Sequence, residues 1–461
     1  MAISFQRCSQ VCREIIIFVA LKLICSWAAM EVTMQSKIRD YLFIAIAFLL
    51  GSVNILYNVQ FYILWILVTV VFVRMDYAGF VSQVKQNWKY LVLPLVGVAY
   101  LAIHYLVSLG VGTNRYAASW NRLEILLLYF FFIPVYVLSA KSFITSSLLK
   151  RSLLALCWGT MLFNFAKLFY LTGWTLFTDT GAALEMLYAT RFGCHLYFWG
   201  GHVYLEPQAI YLSVTAILSF FLVIRFMGHA DRKVVVQGVI LFILSLWFLS
   251  LTVTKGAILA FLGGFLILAF VFFCRMSWKQ KLFTSGVVVA LILSVWVSIP
   301  DTYVQRIKET QNEIENLKKG ELVGGSIAPR VALIKESFDR IEQWGICGLG
   351  VYKNAAAKEW FGQSHFANIS SLGSNVHNCF LEFWMIGGIA GLFFILYYFF
   401  VPVVRMIKTK KCSVLVLSVI CALFIGCNTS VLIIFVDSVP FVIFLLAVSF
   451  FYPEQFAELE K

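Results

Sequence analysis

The sequence predicts an all-α, polytopic integral membrane protein with a large helical loop outside the membrane. Three observations support this fold class. The chain of 461 residues is 61% hydrophobic and only 13% charged, whereas about a quarter of the residues in a soluble domain are charged. Its apolar residues form runs long enough to span a bilayer. Two long polar segments, near 174–205 and 301–378, interrupt those runs.

The apolar runs predict about 12 transmembrane helices, because each span needs about 20 such residues. The N-terminal segment 1–38 is less regular, since its apolar stretch is short and contains Lys22. It is an extra thirteenth span, an interfacial helix or an artefact of the start site. The runs lie near 40–56, 59–74, 90–108, 122–140, 152–172, 206–227, 234–252, 256–274, 282–300, 379–404, 413–430 and 432–451.

The basic residues predict the orientation of these helices. They cluster in alternate loops, which is the pattern of cytoplasmic loops. This topology, together with anionic lipid headgroups, explains the net charge of +13 better than nucleic acid does, since no nucleic-acid motif is present. The clusters are Lys37 and Arg39; Arg74, Lys85 and Lys89; Lys141, Lys150 and Arg151; Arg225, Arg232 and Lys233; Arg275, Lys279 and Lys281; and Arg405, Lys408, Lys410 and Lys411.

This orientation divides the chain into a block of transmembrane helices at 39–300, an external loop at 301–378, and C-terminal spans with a cytoplasmic tail at 379–461. The external loop contains two amphipathic helix patterns, separated by a glycine-rich break at 320–326. We expect a helical lid against the outer membrane face. The residues that share an apolar face are Val304, Ile307, Ile314 and Leu317 in the first helix, and Val331, Ile334, Phe338 and Ile341 in the second.

Ionisable residues at the predicted external helix ends are candidate site residues, because placing charge near lipid is costly. Glu206, followed by Pro207, is a candidate general base or sugar anchor, although both residues also suit a plain helix start. Lys255 is a candidate phosphate-binding cation or a lysine that reaches the interface. Arg191, in the first external loop, is a third candidate cation.

The second external loop and its re-entry into the membrane supply the remaining candidates. Arg330 begins the second amphipathic helix, and Arg340 follows it. Guanidinium groups bind pyrophosphate through paired hydrogen bonds, but surface helices also carry arginines without a ligand. His377 and Asn378 lie where the loop returns to the membrane, with Glu382 five residues after the histidine. His377 is a candidate acid/base or donor to a leaving phosphate, or a packed structural residue.

The sequence contains no Walker A loop, no dinucleotide fingerprint and no zincin motif. The external candidates also lack the acidic cluster that a hard cation requires. We therefore expect no cofactor, no nucleotide hydrolysis and no required metal.

Three motifs between about Glu206 and Tyr398 resemble the O-antigen ligase/polymerase superfamily. The first is Thr252 to Gly256, a T-x-[ST]-basic-G motif. The second is a helix led by Arg330 that ends in Trp344 and Gly348-Leu349-Gly350. The third is His377-Asn378-Cys379-Phe380-Leu381-Glu382, followed by the glycine-rich stretch 387–391.

The resemblance implies a metal-independent glycosyltransferase that transfers glycans from undecaprenyl pyrophosphate. By this resemblance, Arg330 and His377 match residues implicated in donor binding or catalysis. Glu206 is a further candidate catalytic residue because of its own position at a helix start. Lys255, Arg191, Asn378 and Arg340 would bind substrate. Lys255 stands where the superfamily usually has arginine, and its ammonium group lacks the paired donors with which a guanidinium binds phosphate.

The residues leave three functions open. A polymerase of lipid-linked repeats is favoured because Glu206-Pro207 looks like the polymerases, whereas ligases often have Pro-Asn. An O-antigen ligase and a transporter or flippase are the alternatives. Expected partners are the lipid-linked glycan, membrane lipids and a chain-length regulator. The expected location is the bacterial inner membrane, with the active site facing the periplasm.

Overall fold

The computed structural model describes residues 32–52, 58–111, 128–189, 197–198, 201–202, 205–227, 231–252, 254–275, 278, 281–282, 285, 301–319, 327–350, 353–363, 375–430, 432 and 439–460. These residues are helical except for short connections and one antiparallel pair of two-residue strands, in which Tyr197 lies opposite His202. The predicted all-α class is confirmed. The N-terminal segment 1–31, with its three alternatives, lies outside the described residues.

The helices, in chain order, are α1 (Val32–Gly51), α2 (Asn58–Met75), α3 (Tyr77–Val111), α4 (Ile133–Ser139), α5 (Ser146–Thr172), α6 (Thr175–Thr178), α7 (Thr180–Ala189), α8 (Leu205–Phe226), α9 (Arg232–Thr252), α10 (Lys255–Arg275), α11 (Asp301–Lys318), α12 (Ala328–Phe338), α13 (Ile341–Trp344), α14 (Lys353–Gly362), α15 (Cys379–Thr409), α16 (Val414–Thr429), α17 (Val439–Phe451) and α18 (Pro453–Leu459). A π-helical turn, Leu128–Phe132, precedes α4, and the strands are β1 (Tyr197–Phe198) and β2 (Gly201–His202).

Several of these helices are long and apolar enough to cross a membrane. In the described part of the chain there are five, or up to seven if each of two bent helix pairs is one span. The predicted count of about 12 is not confirmed by these residues, and most of the run near 282–300 falls outside them. The five are Ser146–Thr172, Gln208–Phe226, Arg232–Thr252, Lys255–Cys274 and Cys379–Thr409.

The segment before the third predicted span differs from its prediction. We expected a cytoplasmic loop containing Lys85 and Lys89, but both residues lie in α3. The chain bends by 103° between α2 and α3. Asp76 stands at the bend, and its Oδ1 accepts a hydrogen bond of 2.9 Å from the Gly79 N–H. This is a helix N-cap interaction, so α3 begins at the bend and not at the next apolar run.

Glycines allow α1 and α5 to approach closely. A Cβ at Gly159 would lie 1.9 Å from the Phe48 carbonyl oxygen, and a Cβ at Gly51 would lie 2.0 Å from the Leu156 carbonyl oxygen. Small residues at such crossings let membrane helices pack backbone to backbone. This contact anchors α5, which contributes a buried lysine to the site region described below.

The contacts sort the helix ends into two groups. Residues predicted to be cytoplasmic meet at one end of the bundle: the Lys150 Nζ lies 2.6 Å from Asp231 Oδ2, and the Arg225 Nε donates to the Leu459 carbonyl at 2.9 Å. The predicted external ends of α8, α10, α15 and α16 meet one another at a separate place, which is described in the next section. This sorting agrees with the alternation of basic loops.

We predict that Gly159→Val destabilises the protein by about 1–3 kcal/mol, because the added isopropyl group, beginning with its Cβ, would force α1 away from α5. Thermal unfolding of purified protein in detergent measures the effect. Gly362→Ala is the matched control, since a Cβ there would meet no atom within 4 Å. Equal melting temperatures for Gly159→Val and wild type would contradict the close contact.

Candidate functional site

Lys255 is the first residue of α10, and its surroundings explain the motif Thr252 to Gly256. The buried Thr252 hydroxyl donates to the Leu249 carbonyl at 2.8 Å at the end of α9. The Thr254 carbonyl then accepts from the Ile258 N–H at 3.1 Å in the first turn of α10. A Cβ at Gly256 would lie 2.5 Å from the Thr429 Oγ1. The threonines therefore mark the helix ends, and the glycine lets the start of α10 touch the end of α16.

A buried carboxylate, Glu313 of α11, joins Lys255 to the helix that carries Arg330. Its Oε2 lies 3.5 Å from the Lys255 Nζ. Its Oε1 accepts hydrogen bonds from the Ile327 N–H and from the Ala328 N–H, the second at 2.9 Å. These two amides lie at the N-terminus of α12, where Arg330 is the third residue. Glu313 therefore links Lys255 to the N-terminus of the helix that carries Arg330.

The sequence analysis did not single out Glu313, which is buried although apolar residues on both loop helices remain partly exposed. In α11 the apolar-face residue Ile314 is 42% exposed, while Glu313 is buried. In α12, Val331 and Phe338 are 39% and 40% exposed, whereas Ala332, Leu333 and Glu336 are buried. We expected the apolar side of these helices to lie against the outer membrane face. In the structure part of that side remains uncovered, as lipid-facing residues would be.

His377 occupies a constrained backbone position at the start of α15. Its φ is 54°, in the left-handed region that non-glycine residues rarely adopt. The residues on either side are fixed: the Val376 N–H donates to Glu382 Oε1 at 2.7 Å, and the Asn378 side chain accepts from the Leu381 N–H at 3.0 Å as the N-cap of α15. The imidazole is thus presented from a rigid turn.

Glu382 supports this turn from inside the protein. Its Oε2 forms an ion pair with the Lys353 Nζ of α14, and the two side chains are only 0% and 1% exposed. An enclosed carboxylate must be paired to be tolerated. Glu382 is therefore a structural part of the third motif, since it connects α14, the turn before His377 and the first turn of α15.

Asn378 joins the histidine turn to the Lys255 region. Its Nδ2 lies 3.2 Å from the Asn428 Oδ1 near the end of α16. The next residue, Thr429, is the one that faces Gly256. The described contacts thus run from Asn378, beside His377, through Asn428 and Thr429 to Gly256, beside Lys255. The predicted candidates from the second and third motifs converge with Lys255 at one end of the helix bundle.

The motif glycines hold the loop against α15. Gly348 and Gly388 both have positive φ values, 77° and 62°. A Cβ at Gly348 would lie 2.4 Å from the Gly388 nitrogen, so any side chain there would clash. The Leu349 N–H donates to the Met385 carbonyl at 2.7 Å, and the Ile389 N–H donates to the Ile346 carbonyl at 3.1 Å. The Gly-Leu-Gly and Gly-Gly motifs therefore pair with each other through backbone hydrogen bonds.

Aromatic packing completes the attachment of the loop. Trp344, at the end of the second motif, is buried and donates from Nε1 to the Ser337 carbonyl at 3.0 Å. Trp384 of α15 donates to the Gly345 carbonyl at 2.7 Å. These rings belong to a small apolar cluster with Leu333, Trp360, Phe361, Leu381 and Met385. Loop helices α12 to α14 thus form a structured layer on the start of α15.

The remaining predicted site residues are Arg340, Glu206 and Arg191. Arg340 donates from Nη1 to Glu336 Oε2 at 2.5 Å and lies over the Trp360 ring at 5.6 Å. These contacts favour the structural alternative for Arg340. Glu206 is the second residue of α8, but its side chain and all of Arg191 lie outside the described residues.

Lys167 is a buried ionisable residue that the sequence analysis did not single out. It lies within α5, is 1% exposed, and donates from Nζ to the Gln208 Oε1 at 2.7 Å. Gln208 comes two residues after Glu206 at the start of α8. A charged group inside a spanning helix was the available signal. The start of α8 also contacts α10, because the Ser213 Oγ donates to the Ala257 carbonyl at 2.7 Å.

In the part of the chain that the structure describes, no three His, Cys, Asp or Glu side chains are placed to hold a metal ion. The groups that converge are the cations Lys255 and Arg330, the imidazole of His377, and the Glu313 carboxylate that accepts from the amides at the start of α12. Such a set is suited to binding an anion and to moving a proton.

The fold and the site define a multi-span helical membrane protein whose candidate residues gather under a structured loop. A family model described as O-antigen ligase matches residues 240–396. The match begins within α9 and ends within α15, and it includes Lys255, Arg330, Arg340, His377 and Asn378. It confirms the predicted resemblance to the O-antigen ligase/polymerase superfamily over this segment. A search of curated proteins found no significant match.

We predict that Glu382→Gln and Lys353→Met each lower the free energy of unfolding by about 3–5 kcal/mol, because each leaves a buried partner charge uncompensated. The double variant should lose less than the sum of the two single losses. Thermal unfolding in detergent, read as a double-mutant cycle, measures this coupling. Glu359→Gln, at an exposed position on α14, is the control. Additive losses would argue against the ion pair.

Proposed function

We propose that the protein is a polysaccharide polymerase. It joins oligosaccharide repeats carried on undecaprenyl pyrophosphate at the outer face of the bacterial cytoplasmic membrane. The growing glycan on its lipid carrier is the donor, and a hydroxyl at the end of a new lipid-linked repeat is the acceptor. The product belongs to the O-antigen, capsule or exopolysaccharide class.

The observation that carries this proposal is the convergence of Lys255 and the Arg330 helix around Glu313. Lys255 is the first residue of α10, and Arg330 is the third residue of α12. A helix N-terminus is already positive, so cations are disfavoured there by about 0.3–1 kcal/mol each. The single negative charge of Glu313 is outweighed by Lys255, Arg330 and the positive ends of the two helices, so the place keeps a net positive charge that suits a diphosphate.

The reaction follows from this charge distribution. The acceptor hydroxyl oxygen attacks the anomeric carbon of the donor glycan and forms the new glycosidic bond. The bond from that carbon to the pyrophosphate oxygen breaks, and the lipid pyrophosphate leaves with the bonding electron pair. Arg330 and Lys255, with Arg191 as a third cation, stabilise the negative charge on the leaving group.

The hydroxyl proton needs an acceptor at the same place. His377 is the first candidate, because its turn is fixed by hydrogen bonds on both sides and is connected to the Lys255 region through Asn378. Glu206 is the second candidate, near the start of α8. Asn378 lies beside the proposed base and would contact sugar hydroxyls. The pyrophosphate already activates the sugar, so this chemistry requires no nucleotide and no metal.

The O-antigen ligase is the second candidate function, and the description of the matching family favours it. In that case the acceptor would be lipid A core and not another lipid-linked repeat. The pair Glu206-Pro207 favours the polymerase. Nothing in the site or in the family match supports a transporter or flippase. A chain-length regulator is a proposed partner of the polymerase.

We predict that Arg330→Ala and His377→Ala each abolish long-chain polysaccharide in cells, because one removes the main diphosphate contact and the other the proton acceptor. Chain length on gels and protein level in membranes are the measurements. Lys335→Ala, at an exposed position on the same helix as Arg330, is the control and should leave chains long. Normal chain lengths in both site variants would rule out the assigned roles.

A deletion strain should distinguish the polymerase from the ligase. Loss of a polymerase leaves single repeats attached to lipid A core, because ligation continues without polymerisation. Loss of a ligase leaves polymer on the undecaprenyl carrier, because only the final transfer is missing. We expect the first pattern, and analysis of lipid A and carrier lipids separates the two. Polymer accumulating on the carrier would replace the polymerase assignment with the ligase.

A further inference from the structure

We propose that Glu313 is a positioning residue that sets the spacing between Lys255 and the N-terminus of α12, so that the pair accepts a diphosphate headgroup. The inference rests on the proposed function, because it assigns Lys255 and the Arg330 helix to the same ligand. Glu313 would not contact the reacting atoms. It would act by holding the groups that do.

The geometry of Glu313 supports a bridging role. One carboxylate oxygen accepts from two successive backbone amides, of Ile327 and Ala328, and the other lies 3.5 Å from the Lys255 Nζ. The Glu313 side chain is 2% exposed, whereas the Lys255 side chain is 32% exposed. The carboxylate is therefore enclosed, and the ammonium group still reaches solvent. A ligand can approach Lys255 without first displacing Glu313.

The position of Glu313 in α11 is unusual for a surface helix. The other acidic residue close by, Glu315, is exposed, as expected for a solvated side chain. Glu313 instead points inward, although burying a carboxylate costs free energy unless its oxygens are bonded. Two backbone amides, the positive end of α12 and Lys255 together satisfy it. These same groups are the ones that would otherwise repel one another, so the carboxylate makes their close approach stable.

A diphosphate is the ligand class that such a spacing selects. Its two phosphate groups can contact two positive centres at once, whereas a monophosphate contacts one of them. If Glu313 fixes the distance between Lys255 and the Arg330 helix, removing it should reduce the preference for diphosphate over monophosphate. This ratio does not depend on the fraction of protein that is folded, so it separates positioning from a general loss of structure.

The test uses the full-length protein in lipid nanodiscs and two probes, undecaprenyl pyrophosphate and undecaprenyl monophosphate. Their dissociation constants are compared in wild type, Glu313→Ala, Glu313→Gln and the control Glu315→Gln. Glu313→Gln keeps an acceptor for the α12 amides but removes the charge beside Lys255. Glu313→Ala removes both interactions.

We expect Glu313→Ala to weaken diphosphate binding about tenfold, as for loss of a charged hydrogen-bond network, and to change monophosphate binding little. Glu313→Gln should show a smaller loss, and Glu315→Gln none. Arg330→Ala should weaken diphosphate binding less in the Glu313→Ala variant than in wild type. The two effects are not additive, because Glu313 acts by placing the helix that carries Arg330 at the right distance from Lys255.

Two results would overturn the role of Glu313 alone. One is an unchanged preference between the two lipids in Glu313→Ala, which would make the carboxylate only a helix cap. The other is tighter binding of both lipids in Glu313→Gln, which would make it a competitor of phosphate. If wild type binds neither lipid, the proposed function itself fails. The two failures are therefore distinguishable.

Discussion

The arrangement of this protein depends on the buried ion pair between Lys353 and Glu382. Glu382 belongs to α15, a candidate membrane span, and Lys353 belongs to α14, in the segment between α10 and α15. The pair cannot separate without leaving a charge in an apolar interior, so the loop is fixed on the start of α15. The second oxygen of Glu382 holds the Val376 amide and thereby the turn that carries His377. A single carboxylate thus connects the loop, the membrane helix and the proposed base.

The negative charges of Glu313 and Glu382 are both buried, and they are compensated by the same kinds of group. Each is a buried carboxylate that accepts from backbone amides with one oxygen and faces a lysine with the other. The difference lies in the lysines, because Lys353 is enclosed and Lys255 is partly exposed. The first pair therefore supports the fold, whereas the second leaves a cation available to a ligand. Burial of the cation separates a structural ion pair from a candidate binding group.

The residues of the three motifs have different physical roles. The histidine, Arg330 and Lys255 are the groups suited to chemistry. The glycines at 348 and 388 instead permit a backbone contact that any side chain would prevent. Asn378 caps α15 and also reaches Asn428, so it stabilises a helix start and joins two helices. The sequence motifs alone did not separate these roles, because a motif records which residues occur and not whether each one packs, caps a helix or binds a ligand.

The sequence by itself determined the helical membrane class, the grouping of helix ends and the motifs that resemble the superfamily. Composition and run length are sufficient for the helical membrane class, because a span in lipid must satisfy its own backbone hydrogen bonds, and the positions of the basic residues predict the grouping of the helix ends. Only the tertiary structure decided that Glu313 is buried, that Ile314 is exposed, and that Lys167 lies against Gln208. Periodicity identifies an apolar stripe but not its partner, and hydrogen bonds between residues distant in the chain follow from packing. The meeting of Lys255 with the Arg330 helix is a property of that packing.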